Sequence, residues 1–180
     1  MSADGGVVKV NVYSKTIPQS ASLPAPFTQG SLVIGITGGS GCGKTTLLNL
    51  IRDRGGLVLD CDAIYHRLLK EDAALVNAIS ARFPGTVEEG ILNRKKLGAI
   101  VFSDEAALLD FNAITHTAVK QEVLRQLAKK PALAAIDAIG LFESGMDALC
   151  DVTVAVTAPE EVRVQRLIAR DGISMKKKKK

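Results

Sequence analysis

The stretch TGGSGCGKTT, residues 37–46, follows the apolar run LVIGI of residues 32–36. Four of its ten residues are glycine. Glycine loses more conformational freedom on folding than any other residue, so this density belongs where backbone must curl tightly and be approached closely. The order Gly38, Gly39, Ser40, Gly41, Cys42, Gly43, Lys44, Thr45 fits G-x-x-x-x-G-K-[ST]. Such a loop wraps a phosphate chain with backbone N–H groups. Gly39, Ser40, Gly41, Cys42, Gly43, Lys44, Thr45 and Thr46 are read as that cradle. A helix starting near Lys44 adds the positive end of its dipole. Lys44 then reaches the β- and γ-phosphates, and the Thr45 hydroxyl takes the Mg²⁺ that a triphosphate brings.

The motif needs a strand before it and a helix after it, and the flanking pattern supplies both. LVIGIT is short, apolar and β-branched, as in a buried parallel strand. TTLLNLIRDRG has helical spacing and stops at Gly55-Gly56. LVLDCD reads as a second strand, ALAAIDAI as a third and DVTVAVTA as a fourth. PEEVRVQRLIARDG reads as a helix with Pro159 near its first turn. Strands alternating with helices imply an α/β fold, a parallel sheet flanked by helices on both faces. Between the second and third strands, AIYHRLLKEDAALVNAISARF, LNRKKLGAIVF and DEAALLDFNAITHTAVKQEVLRQLAKK all read as helical, with Pro131 as the stop. The chain therefore divides into a nucleotide-binding core, residues 31–61 and 131–170, and a helical insertion, residues 62–130. The insertion sits at the end of the sheet where open α/β folds bind ligands. Residues 1–30 read as an extension or linker, rich in Pro, Ser, Ala and Gln. Within them VVKVNVY alternates and is compatible with a short strand.

Composition narrows the class. The 180 residues are 47% apolar and 23% charged, ordinary for a globular protein. No run is long and apolar enough for a membrane span, and the N-terminus lacks a basic-then-apolar signal. Three scattered cysteines, Cys42, Cys61 and Cys150, suit a reducing cytoplasm. The net charge of +4 includes five terminal lysines, residues 176–180; without those five it is −1. The charge thus gives no argument for a nucleic-acid partner, and the lysine run reads as a solvated tail.

No Asn-Lys-x-Asp and no LSGGQ occurs, so neither a guanine-reading protein nor a transporter ATPase is indicated, and the chain is short for a motor or helicase. A small-molecule kinase with ATP as donor remains. Asp60 and Asp62, read as strand, share one face with Cys61 opposite. Asp62 is a candidate general base for a substrate hydroxyl, with a helix N-cap as the alternative. Asp137 ends the third strand and is a candidate Mg²⁺ ligand, with a strand-end hydrogen bond as the alternative. Glu143 follows in LFESG as a weaker candidate. His116, taken alone, reads as structural.

From Leu32 to Ser174 the ordered motifs IGITGGSGCGKTT, VLDCDAIYH, GILNRKKLGAIVF, FNAITH, IDAIGLFESGMDALCD and VQRLIARDGIS resemble the dephospho-coenzyme A kinase family. The resemblance implies a P-loop, nucleoside-monophosphate-kinase-like fold with an ATP-binding core, an acceptor-binding helical insertion and a lid. It implies transfer of the ATP γ-phosphate to the ribose 3′-hydroxyl of dephospho-coenzyme A, the last step of coenzyme A synthesis. It places the general base on Asp62, acceptor contacts on Asp62, His66, Asn93, Arg94 and His116, and an ATP-side arginine on Arg170. Three departures bear on the acceptor: His66 stands where the family usually has arginine, Thr117 where it has proline, and Asp137-Ala138-Ile139-Gly140-Leu141 where it has Asp-x-Pro-Leu-Leu, so that Gly140 replaces leucine and the proline before it is lost. Residues 171–180 stand where the family's lid begins. That implies an incomplete lid, slower turnover than a longer chain, and a sheet edge left bare unless VVKVNVY covers it. Two rivals share the loop: another hydroxyl or nucleoside kinase, and a nucleotide-binding fragment without turnover. Oligomeric state leaves no mark on the sequence.

Overall fold

The computed structural model describes residues 9–14 and 31–171. Most of the 1–30 extension, and the tail from residue 172 with its five lysines, lie outside the described residues. In chain order the elements are β1 (Lys9–Ser14), β2 (Leu32–Thr37), α1 (Lys44–Asp53), β3 (Leu57–Asp60), α2 (Cys61–Glu71), α3 (Ala73–Arg82), β4 (Val87–Glu88), β5 (Ile91–Leu92), α4 (Arg94–Val101), α5 (Glu105–Leu127), β6 (Leu133–Asp137), β7 (Val152–Thr157) and α6 (Glu160–Asp171). A single 3-10 turn, Met146–Leu149, precedes β7. The chain divides into two compact units, Met1–Val58 with Lys130–Lys180, and Leu59–Lys129. No described helix is long and apolar enough to cross a membrane.

The sheet has five strands in the order β1-β7-β2-β6-β3. β2 lies between β6 and β7 and runs parallel to both. That is the environment an apolar run such as LVIGIT needs, with Val33 and Ile36 fully buried. Asp151 fixes the start of β7 against β2: its carboxylate accepts from Val33 N at 2.8 Å and its own N–H donates to Val33 O at 2.9 Å. Leu48 and Ile51, one turn apart on α1, bury their side chains with Ile36, Cys42, Ala135, Val154 and Val156. This core sets the loop between β2 and α1 on a rigid base.

Two sheet expectations change. The sheet is mixed rather than parallel, because β1 runs antiparallel along β7, from Lys9 opposite Thr157 to Ser14 opposite Val152. The strand Lys9–Ser14, which holds the described part of that alternating stretch, therefore covers the edge of β7, which is not bare.

In the second unit α5, 23 residues long, is the helix on which α2, α3 and α4 pack. Phe111 on α5 meets Tyr65 and Phe83 edge-on, at centroid distances of 6.4 and 6.3 Å. Glu122 on α5 is 8% exposed and accepts from Arg67 on α2 at 2.7 Å, from Arg125 at 2.7 and 2.8 Å and from Gln126 at 2.9 Å.

This unit corrects three readings. The stretch read as one helix from Ala63 to Phe83 is two, because Asp72 breaks it: its carboxylate accepts from Ala74 N and Leu75 N at 2.9 and 3.2 Å and starts α3. The insertion is not wholly helical. β4 and β5 form a tight hairpin around Glu89 and Gly90, whose φ values of 51° and 78° suit a two-residue turn. Helix α4 accordingly starts at Arg94.

Candidate active site

The loop between β2 and α1 bends where glycine is required. Gly38 has φ 138°, and a Cβ there would lie 2.3 Å from Val156 O. Gly41 has φ 80°, and a Cβ there would lie 2.8 Å from Arg163 O. The loop is thus pressed onto β7 and α6. The cap of α1 is Gly43 in the left-handed region, with no side-chain bond to the helix and no acid in the first turn. The first amides of α1 are left for something other than a side-chain cap. Lys44 is half-buried, and its Nζ donates to Gly38 O at 2.6 Å, which folds the side chain back over the loop. Thr45 and Thr46 are exposed in the first turn. Cys42 is a core residue by its side chain, so only its backbone faces the loop, and its N–H donates to Gly39 O at 3.3 Å.

The end of β6 is latched to the entrance of that loop. Asp137 closes the strand two residues beyond the pairing of Ala135 with Ile34 and stands opposite Ile36; Ala138 N donates to Ile36 O at 3.1 Å. Thr37 Oγ1 donates to Ile139 O at 2.9 Å. Glu143 is exposed in the turn after β6, and Arg170 is exposed in the last turn of α6. Gly39 to Thr46, Asp137 and Arg170 all belong to the first unit.

Two further groups hold the loop, and the sequence did not announce them. Arg163 Nε donates to Ser40 O at 3.2 Å, and Arg166 Nη1 donates to Gly41 O at 3.2 Å. They are three residues apart on α6, so they share a face. That spacing was the only signal, and an ordinary solvated face shows it too.

The other predicted residues belong to the second unit. The reading of Asp62 as a strand residue is corrected. β3 ends at Asp60, whose carboxylate accepts from Ala63 N at 2.9 Å and starts α2 at Cys61. Asp62 is therefore in the first helical turn, and the capping bond weighed for it is made by Asp60. Asp62 and His66 are four apart on α2 and share a face, both exposed. Arg94 Nη2 lies 3.2 Å from His66 Nδ1. Asn93 caps α4, its side-chain oxygen accepting from Lys96 N at 3.1 Å. Lys96 is ion-paired with Glu88. His116 is half-buried on α5.

His66 and Arg94 border a pocket of about 160 Å³ with an apolar floor of Leu92, Leu97, Val101 and Phe111 and with Tyr65 on its wall. Burial raises the Tyr65 hydroxyl above its usual pKa, and the Arg94 charge opposes that. The volume is below the usual range for a whole ligand, so it suits one portion of a larger molecule. Tyr65 and Phe111 are lining residues that pattern reading passed over, because an aromatic at helical spacing reads as core.

The chain matches the dephospho-CoA kinase family model over residues 32–180. It is 40% identical over 150 residues to a dephospho-CoA kinase of Mesorhizobium japonicum, covering 81% of this chain and 75% of that one. A dephospho-CoA kinase of Moorella thermoacetica is 36% identical over 150 residues, covering 79% and 71%. Among solved structures, the crystal structure of TT1252 from Thermus thermophilus matches with TM-score 0.69 at 35% identity, covering 81% and 75%. The dephospho-CoA kinase from Campylobacter jejuni matches with TM-score 0.54 at 26% identity, covering 79% and 74%.

Proposed function

This chain belongs to the dephospho-CoA kinase family and is an ATP-dependent kinase of the last step of coenzyme A synthesis, and from that premise we propose how its own residues divide the work. The observation that carries the assignment is the loop of residues 38–45. It is glycine-built, pressed onto β7 and α6, and opens onto an α1 N-terminus that no side chain caps. The backbone N–H groups from Gly39 to Thr46 cradle the phosphates of ATP. Lys44 exchanges Gly38 O for phosphate oxygens and neutralises charge that builds on the transferring group.

Among the described residues no group of three or more His, Cys, Asp or Glu could hold a metal ion on its own. Thr45, exposed in the first turn of α1, and Asp137, at the end of β6 opposite Ile36, fit Mg²⁺, which keeps its waters and takes one or two protein oxygens beside substrate phosphates. The Thr45 hydroxyl and the Asp137 carboxylate are the oxygens we assign. Bound there, Mg²⁺ would supply charge neutralisation on the phosphate oxygens.

The acceptor belongs to the second unit. Arg94 and His66 offer N–H groups to an anionic portion of dephospho-coenzyme A at the rim of the apolar pocket, with Asn93 and His116 contributing from α4 and α5. Asp62 accepts the proton of the ribose 3′-hydroxyl as that oxygen bonds to the γ-phosphorus, and ADP leaves with the electron pair of the broken P–O bond. Asp62 suits this role because it is exposed, shares a face with His66 and is spared the capping bond. Arg170, at the end of α6, is assigned to the ATP side.

We place the chain in the cytoplasm with small molecules as its partners. Cys42, Cys61 and Cys150 are all buried and none is in a disulfide, which suits a reducing compartment. The experiment that tests the acceptor assignment offers γ-labelled ATP with dephospho-coenzyme A and, separately, with nucleosides, beside a direct measurement of ATP binding. Label on dephospho-coenzyme A is expected. Preferential labelling of a nucleoside would overturn it, and binding without transfer would leave a nucleotide-binding fragment.

A further inference from the structure

We propose that Arg163, with Arg166 one turn later, is a positioning residue for the triphosphate: it holds the outer side of the phosphate loop so that the loop's amides face the ligand. The inference rests on the phosphate-binding reading of residues 38–45. It begins with the destination of each loop carbonyl, since every buried polar group must be satisfied somewhere. Gly38 O takes Lys44 Nζ, Gly39 O takes the Cys42 N–H and Gly43 O takes the Thr46 N–H. Ser40 O and Gly41 O take guanidinium N–H groups from α6, each at 3.2 Å.

A peptide unit is planar, and in the trans form its C=O and N–H point opposite ways. No described peptide bond is cis. Ser40 C=O is turned toward α6, so the Gly41 N–H in the same unit is turned away from α6. Gly41 C=O is likewise turned toward α6, and the Cys42 N–H in that unit points back into the loop, where it meets Gly39 O. A flip of the Ser40–Gly41 peptide would present a carbonyl oxygen to the phosphates and take the Gly41 N–H away from them, and a flip of the Gly41–Cys42 peptide would break the bond from Cys42 N to Gly39 O that shapes the loop. With Gly41 on one side of each, such a flip meets little steric resistance. The two arginines supply the resistance that side chains in the loop cannot, through charge-assisted bonds that a flip would break.

The loop is also shaped for this seat. Gly39 is not among the residues with positive φ, so its backbone alone does not demand glycine. A Cβ there would lie 2.7 Å from Arg163 Nη2. Gly41 is closed to a side chain by Arg163 O on the same residue's backbone. Arg163 thus lies against two of the motif's variable positions, with its guanidinium end at Gly39 and its backbone at Gly41, where a φ of 80° calls for glycine in any case. The phosphate motif itself requires glycine at neither.

The test uses the full chain and four variants: Arg163→Met, Arg163→Lys, Arg166→Met and Lys44→Ala. Met keeps the length and apolar stem of arginine but donates nothing, whereas Lys can still donate to Ser40 O. ATP affinity is read directly by calorimetry, with KM for ATP, KM for dephospho-coenzyme A, kcat and the melting temperature of the free protein read beside it. Arg163→Met should bind ATP roughly 5–30-fold more weakly, about 1–2 kcal/mol at 1.4 kcal/mol per tenfold. Its kcat at saturating ATP and its KM for dephospho-coenzyme A should stay within about threefold, a split that separates ground-state binding from the chemical step. Arg163→Lys should recover most of the loss, and Arg166→Met should resemble Arg163→Met. Wild-type affinity in Arg163→Met, with Lys44→Ala impaired, overturns the positioning role and leaves the phosphate loop standing. So does an equal loss in Arg163→Met and Arg163→Lys accompanied by a lowered melting temperature and a raised KM for both substrates, which marks a merely structural residue. Absence of ATP binding in the unaltered chain overturns the phosphate-loop reading itself, and this inference with it.

Discussion

Replacing Glu122 by Gln should remove a measurable part of the stability at neutral pH and almost none of it in acid. Glu122 is buried on α5 and accepts four N–H bonds, two of them from Arg125, one from Arg67 and one from Gln126. The bonds from Arg125 hold its carboxyl down to a pKa of about 2 against an ordinary 4.5, with burial pulling the other way and Arg67 adding to the decrease. A displacement of that size carries at most about 3.5 kcal/mol, at roughly 1.4 kcal/mol per pKa unit. Both guanidiniums are partly in water, with the Arg67 side chain 40% and the Arg125 side chain 63% exposed. Screening on that side leaves about 1–2 kcal/mol. Because the folded pKa is depressed, this contribution is fully present above about pH 4.5 and is lost as the pH falls toward 2. Glu122→Gln keeps the shape and an acceptor oxygen but loses the charge. At pH 7 its unfolding free energy should therefore fall by about 1–2 kcal/mol, or roughly 2–8 °C in melting temperature for a chain of this length. The assay is urea or thermal unfolding of both proteins at pH 7, 5, 4 and 3. The difference between them, rather than either curve, isolates Glu122 from the other carboxylates. The gap should shrink to roughly 40% of its neutral value by pH 3 and close only as the pH falls on toward 2. A gap of constant size from pH 7 to pH 3, or no gap at pH 7, would refute the reasoning.

Three other outcomes follow from the site. Lys44→Ala should lower turnover by roughly 10²–10³-fold, since it removes a charge aimed at the transferring phosphoryl group; labelled-ATP transfer measures it, and near-normal turnover would sink the loop assignment. Asp62→Asn should cost roughly 10²–10⁴-fold in kcat with little change in melting temperature, whereas Asp60→Ala should cost about 1 kcal/mol of stability by uncapping α2. The reverse pattern would make Asp62 the structural residue and Asp60 the chemical one. Arg94→Ala should raise KM for dephospho-coenzyme A while leaving ATP affinity within about twofold, by loss of one charge-assisted contact; a change in ATP affinity alone would detach Arg94 from the acceptor.

What could be read from the sequence was what local chemistry enforces. Residues 38–45 must bend, approach an anion and start a helix, and each demand leaves its own residue type in place. β2, β6, β7, α1 and α6 were legible for a related reason: burial in a sheet or against one imposes a period on side chains. The errors have a common physical source, in bonds from side chain to backbone that no period records. Alternation carried β3 through Asp62 because Asp60 and Asp62 are exposed and Cys61 is buried, a pattern that a strand and a first helical turn both produce. The choice was made by one bond from Ala63 N to the Asp60 carboxylate. Asp72 divided α2 from α3 in the same way. Long-range pairing was hidden more completely. The pattern of VVKVNVY says that a strand can form but not which strand it meets, and its partner lies at the other end of the chain, where Thr157 Oγ1 also donates to Lys9 O. Arg163 and Arg166 combine both difficulties. Three residues apart on an amphipathic helix, they resemble any pair of solvated cations. They become donors to the phosphate loop only because β7 places the start of α6 beside Gly39 and Gly41, and because those two residues lack the Cβ that would keep α6 away. The glycines were visible from the first, but half of what they accommodate lies more than 120 residues downstream.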